Sequence, residues 1–227
     1  MDPGHREQLG RLWLETALGE HASVAAFARF VLHLMSLGAP PELLLDAIQA
    51  MKDEVHHARF CFGIARQFIN EAAGPGRMNI SGVLDDGDDP SSILRAAILE
   101  GCFEETISAE CARVAGERVE VPAIGEALVQ IADDEARHAD LAWRFVDWIL
   151  KAYPELKPVA EDCFAWALAN HSAIEEEESV PSQENYGLLL PSSRRQVRET
   201  TLRETIVPRI KTIFGYVPTI NLPEPIS

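Results

Sequence analysis

The chain has 227 residues, 47% apolar and 25% charged, enough to bury one sizeable core, and carries a net charge of −16. That charge argues against nucleic acid as a partner, because the one basic cluster, Arg194, Arg195 and Arg198, is interleaved with acids and reads as a solvated helix face. The opening MDPGHREQLG has no apolar signal core and no stretch has the uncharged apolar length of a membrane span, so a cytoplasmic protein with no membrane partner is expected.

Apolar residues recur at helical spacing and no strand-like alternation of useful length appears, which predicts an all-α fold. A first helix runs from about Arg6 to Leu37 and is closed by Gly38. Pro40 and Pro41 open a second, which continues to about Ala72. The segment GPGRMNISGVLDDGDDP then has loop composition, Asp89 caps a third helix that Pro90 opens, and that helix ends near Gly116. Pro122 opens a fourth, running to Tyr153 before Pro154.

A linker of about 17 residues stretches to roughly 55 Å, and a second helix of about 30 residues is roughly 45 Å long. The linker can therefore cross the bundle and leave the third helix parallel to the second. Two antiparallel hairpins joined by one long crossover result. Residues 155–174 and about 192–214 read as two further helices separated by a loop around ESVPSQENYG, with YVPTINLPEPIS as an extended tail. The expected division is a four-helix bundle with a metal site over residues 1–153, and C-terminal helices and tail packed on it over 154–227.

The second half of the chain echoes the first. Pro41 aligns with Pro122, Asp53 with Asp134, Glu54 with Glu135, His57 with His138 and Ala58 with Ala139, all at one offset. A single Glu-x-x-His is weak evidence, since roughly one arises by chance in such a chain. Two copies, each preceded by Asp and equally far from a helix-opening Pro, are much stronger. Residues at i and i+3 share a helix face, so each motif aims a carboxylate and an imidazole at one point. Oxygen with neutral imidazole suits iron or manganese.

A two-metal site of this kind also needs a carboxylate from each of the other two helices. On the first, the seam Trp13, Thr16, Glu20, Ser23, Phe27, Phe30, Leu34 is apolar or small except at Glu20. On the third, the seam Leu94, Ile98, Gly101, Glu105, Ser108, Ala112 points to Glu105, with Glu104 as the alternative. A ligating imidazole usually donates its second N–H to a carboxylate, so Asp53 is assigned to His138 and Asp134 to His57 across antiparallel helices.

The remaining residues have plainer readings. Cys61, Cys102, Cys111 and Cys163 form no C-x-x-C pair and read as reduced thiols, mostly in the core. His21, His33 and His56 fall off the metal face, and His171 beside the EEEES run reads as a solvated helix end. Trp13, Phe27, Phe30, Trp143 and Phe145 have core spacing.

The order Glu20, Glu54-Val-His-His57, Glu105, Glu135-Ala-Arg-His138 resembles the ferritin-like di-iron carboxylate superfamily, which includes rubrerythrin, bacterioferritin and di-iron oxygenases. The likeness covers roughly residues 6–153. It implies a ferritin-like four-helix bundle holding two Fe ions, with Mn/Fe or Mn/Mn as variants. By that resemblance Glu54 and Glu135 bridge the metals, Glu20 and Glu105 are terminal, and His57 and His138 serve one metal each. Four glutamates match the charge of two ferrous ions. The expected activity is an O2-dependent di-iron oxidase or oxygenase of a small organic substrate, with an external electron donor and compatibility with a homodimer. Ferrous iron as the substrate, in a ferroxidase or iron-handling protein, is the alternative. A Cys-rich electron-transfer domain of the rubrerythrin kind is absent from the sequence.

Overall fold

A computed structural model describes residues 1–69, 73–84, 87–170, 179–180 and 182–219. Every regular element among them is helical, as expected, and none of the helices is long and apolar enough to cross a membrane. Helix α1 spans Pro3–Ser36, starting earlier than its apolar seam suggests because the Asp2 carboxylate accepts the His5 N–H at 3.2 Å. Gly38 takes the left-handed conformation, φ +65°, that turns the chain into α2, Pro41–Phe68. Ile69 is already extended, and the expected end at Ala72 lies outside the described residues.

Asp89 caps α3 (Pro90–Ala96) by accepting the Ser92 N–H at 2.9 Å. The rod continues without a break through a π-helical stretch, Ala97–Glu105, into α4, Thr106–Arg118. Helix α5 covers Pro122–Ala152. The guanidinium of Arg6 donates to the carbonyls of Gln67 and Phe68, so α1 and α2 are antiparallel. Arg144 reaches Asp46 at 2.7 Å and His57 reaches Asp134, so α2 and α5 are antiparallel as well. Gly101 faces Ala142 and Gly116 faces Leu128, so the α3–α4 rod also opposes α5. The rod and α2 consequently point the same way.

After a short turn at Pro154–Leu156 come α6 (Lys157–Asn170), a turn at Gln183–Tyr186, α7 (Pro191–Thr201), a π-helical Leu202–Ile206 and α8 (Val207–Phe214). His171, the end of the helix expected over 155–174 and the last part of the tail lie outside the described residues. Helix α6 lies against the α3–α4 rod and α7 against α4. Fully buried Phe164 stacks on Trp143 with ring centroids 5.7 Å apart, and Phe214 meets Phe164 edge-on. Burying such a ring contributes about 1.5–3 kcal/mol, whereas an exposed pair such as Arg209–Asp140 contributes about 0–1 kcal/mol. Ring packing therefore dominates the docking of this layer.

The apolar core is split in two. One cluster is built on Phe27, Leu34, Ala47, Ile98, Phe103, Leu141 and Phe145, the other on Trp13, Ala17, Cys61, Ala112, Leu128 and Ile131. On α1, α2 and α5 the acidic and histidine positions fall between the stretches that feed the two clusters, and on the rod Glu105 lies near the end of the first cluster's stretch, between Phe103 and Ile107. A polar layer is thus held at mid-height between two apolar ones.

Candidate metal centre

Two groups of potential ligands meet in that layer. Glu20, Glu54, His57 and Glu135 form one, and Glu54, Glu105, Glu135 and His138 the other, with the ligand atoms of each group within 4.8 Å of one another. All six residues singled out in the sequence are brought together, and the two groups share Glu54 and Glu135. Glu104 is not among them. It is exposed and pairs with Arg198 at 2.9 Å.

The local reasons are specific. Helical i, i+3 spacing sets Glu54 beside His57 and Glu135 beside His138, with nitrogen–oxygen separations of 3.6 and 3.7 Å. Antiparallel crossing of α2 and α5 then carries His57 Nδ1 to 3.3 Å from Glu135 and His138 Nδ1 to 3.1 Å from Glu54. Glu20 approaches His57 at 3.4 Å and Glu105 approaches His138 at 3.7 Å. Glu105 ends the π-helical stretch, whose wider turn changes the register of the rod where it meets the site. Phe27 closes the His138 side edge-on, with ring centroids 5.0 Å apart.

Burial and satisfaction are mismatched here. Glu54, His57, Glu135 and His138 are each at most 3% exposed. Both Glu54 oxygens and both Nδ1 nitrogens are nonetheless buried without a hydrogen-bond partner. Buried polar groups are rarely left so, and burying charge without compensation costs several kcal/mol. These atoms converge on the same small space, so the donor set fits divalent cations. The donors are carboxylate oxygens and imidazole nitrogens, with no thiolate in either group.

Without a cation, protons take that role. Burial opposes charging of both imidazoles, yet Glu135, Glu20, Glu54 and Asp134 together hold His57 far above its usual range, and Glu105, Glu135 and Glu54 raise His138 to about 12. Burial raises Glu20 to about 7, helped by Glu135 and Glu54 and opposed by His57. Burial and the neighbouring Glu135 push Glu105 well above the carboxylate range. Glu135 goes the other way: burial is outweighed by the close approach of Glu105, His138 and His57. Each imidazolium thus occupies a carboxylate cage.

The second ring nitrogens face the paired aspartates. His57 Nε2 lies 3.0 Å from Asp134 Oδ2, while His138 Nε2 lies 3.5 Å from Asp53 Oδ2, beyond hydrogen-bond geometry. Gln49 donates to Asp53 at 2.6 Å and Gln130 donates to Asp134 at 2.8 Å. Arg137 then bridges the two halves, reaching Asp53 at 3.1 Å and also Asp134. Sequence reasoning missed these three. The signal for the glutamines was present, since Gln49 and Gln130 obey the same offset as the motifs. Arg137 gave no such signal, because the repeat places exposed His56 opposite it.

A cavity of about 470 Å3 opens beside Glu20, Glu105 and Glu135. Its walls include Trp13, Cys61, Ile107, Leu128, Ile131, Leu188 and Leu189. The segment carrying Leu188 and Leu189 is pinned in place. Trp13 donates to the Tyr186 carbonyl at 3.0 Å, and buried Gln183 donates to the Leu189 carbonyl at 2.8 Å. Gly187 sits at φ +85°, where an added Cβ would come within 2.7 Å of Ile124 and 2.9 Å of Leu128. Only glycine meets both conditions. Arg194 and Arg198 also line the cavity, which corrects the expectation of a solvated face: α7 packs that side onto α4, and only Arg195 stays exposed.

No known family model, curated protein or solved structure matches this chain. Its chemistry has to be read from its own geometry.

Proposed function

We propose that the chain is a ferritin-like di-metal carboxylate protein that uses dioxygen to oxidise a small organic molecule. The helix directions and the mid-height polar layer support the ferritin-like reading. Glu54 and Glu135, the two residues common to both ligand groups, would be shared between two ions. Glu20 and Glu105 would complete one site each, and His57 and His138 would supply one nitrogen each. Two bound ferrous ions would supply the electrons that dioxygen needs.

The observation that carries the organic-substrate reading is the cavity. Glu20 and Glu105, 15% and 17% exposed, are the two least buried of the four glutamates, and both line it together with Glu135. A volume of about 470 Å3 lies within the range of small-molecule sites. Trp13, Leu128, Ile131, Leu188 and Leu189 would give a bound substrate apolar contact. Asp134 would hold His57 in the tautomer with Nδ1 free to bind metal.

The test is anaerobic ferrous loading followed by rapid mixing with dioxygen in the presence of small organic compounds. Oxygen uptake with a transient visible absorption, its decay accelerated by one class of compound, supports the proposal. Uptake of many irons per chain with mineral growth, indifferent to organic compounds, would favour iron handling instead.

A further inference from the structure

A second, smaller cavity reaches the candidate metal centre through other residues. Its volume is about 50 Å3, and Glu105 is the one lining residue that it shares with the larger cavity. Ala26 and Arg29, three residues apart on one face of α1, form part of its wall. The π-helical stretch adds Ala97 and Glu100, and α5 adds His138 and Ala142.

The lining changes character with depth. At its outer end the Glu100 side chain is 55% exposed, and Arg29 donates to its two oxygens at 2.6 and 2.7 Å. An ion pair this open to solvent is weakly held and parts readily. Ile93, Ala97, Leu141 and Ala142 are all buried and bring no polar side-chain atom to the wall. His138 lies at the inner end, 2% exposed, and neither of its ring nitrogens makes a hydrogen bond.

Size and polarity together select the occupant. A space of about 50 Å3 holds only a few molecules of water size, far less than the organic substrate proposed for the cavity of about 470 Å3 requires. Water settles where it finds about two to four polar partners, and the apolar middle of this wall offers none, so an uncharged, apolar diatomic suits it better. We infer that this cavity admits and holds dioxygen beside His138 and Glu105, apart from the organic substrate, with the Arg29–Glu100 pair closing its outer end. This rests on the proposal that the centre uses dioxygen. The two reactants then approach by separate ways, and a bound substrate leaves the gas route open.

Xenon, a small apolar probe, tests the site without any chemistry. Crystals of the full chain under xenon pressure should show xenon against Ala97, Leu141 and Ala142, and Ala97→Leu, which fills that space, should remove it. Rapid mixing of the anaerobically ferrous-loaded protein with dioxygen reads the route. The dependence of rate on dioxygen concentration should fall several-fold in Ala97→Leu and also in Ala26→Leu at the outer end, with iron content unchanged in both. Thermal melts confirm that each variant is folded. Ala26 is half-buried and accommodates a larger side chain, so it carries the test should Ala97→Leu not fold. No xenon in the small cavity of the wild type, or undiminished oxygen rates in the folded variants, would overturn the inference. Oxygen uptake by a wild type that takes no xenon there removes only the separate route. Xenon bound there in a chain whose iron does not react with dioxygen removes the proposed function and the dioxygen role together.

Discussion

His57 Nε2 and Asp134 Oδ2 stand 3.0 Å apart across the α2–α5 crossing, while the matching atoms of His138 and Asp53 stand 3.5 Å apart. The pseudo-twofold repeat is therefore exact in sequence position and unequal in geometry. Asp134→Asn keeps the shape but removes the charge that orients His57, and it should weaken metal binding about 10–100-fold at one of two sites. Asp53→Asn should cost less. Calorimetric titration with ferrous iron under anaerobic conditions reads both, and unchanged affinity in Asp134→Asn would count against the pairing.

Arg137 touches both aspartates from a position that is half exposed. It joins the two outer aspartates, one from each half of the repeat. Arg137→Gln should weaken both metal-binding steps together, with Arg137→Lys intermediate because an ammonium cannot serve two carboxylates in a planar fork. Loss confined to a single step would contradict a bridging role.

The protonated cage sets a pH dependence for the metal-free protein. His138 has a folded value of about 12 against an ordinary 6.5, so its stabilising contribution is complete below 6.5 and is lost as pH rises through its folded value. Glu20, raised from 4.5 to about 7, acts in the same direction between those values. Glu135, lowered, is a source of stability above 4.5 that is lost on acidification. Metal ions bound at this cluster would replace these protons, so the gain in melting temperature on loading should be larger at pH 8 than at pH 6. A gain that shrinks from pH 6 to 8 would show that the ions bind elsewhere.

Gly101 is where the α3–α4 rod comes closest to α5, and a Cβ there would lie 2.3 Å from that of Ala142. Gly101→Ala must push two packed helices apart. Overpacking of this kind costs about 1–3 kcal/mol, which for a chain of this size lowers the melting temperature by roughly 2–12 °C. A thermal melt that does not move would mean the rods can separate freely.

The helices were legible because their ends carry explicit chemistry: Asp89 with Pro90, Pro41 after Gly38, Pro122 and Pro154 all mark boundaries that the structure keeps. That six acidic and histidine residues meet in one layer was legible because the repeat doubles a weak motif and fixes helix phase. The π-helical stretch was not, since an apolar seam is read with one uniform period and a single wide turn leaves no compositional mark. Glu105 was still distinguishable from Glu104 because its seam is otherwise apolar or small, and the rod turns Glu105 toward His138 and Glu104 toward Arg198. The inward face of α7 was illegible for a different reason. Arg194, Val197 and Arg198 show no amphipathic pattern that distinguishes a cavity wall from a solvated face, and only the docking of α7 on α4 decides it.

The central claim is that Glu54 and Glu135 are shared between two ions, and metal content after anaerobic ferrous loading and desalting tests it most directly. Wild-type protein should retain two irons per chain, and Glu54→Gln, which keeps the size but halves the donor capacity common to both groups, should retain neither tightly. No retained iron in the wild type, or two irons in folded Glu54→Gln protein, would contradict the account.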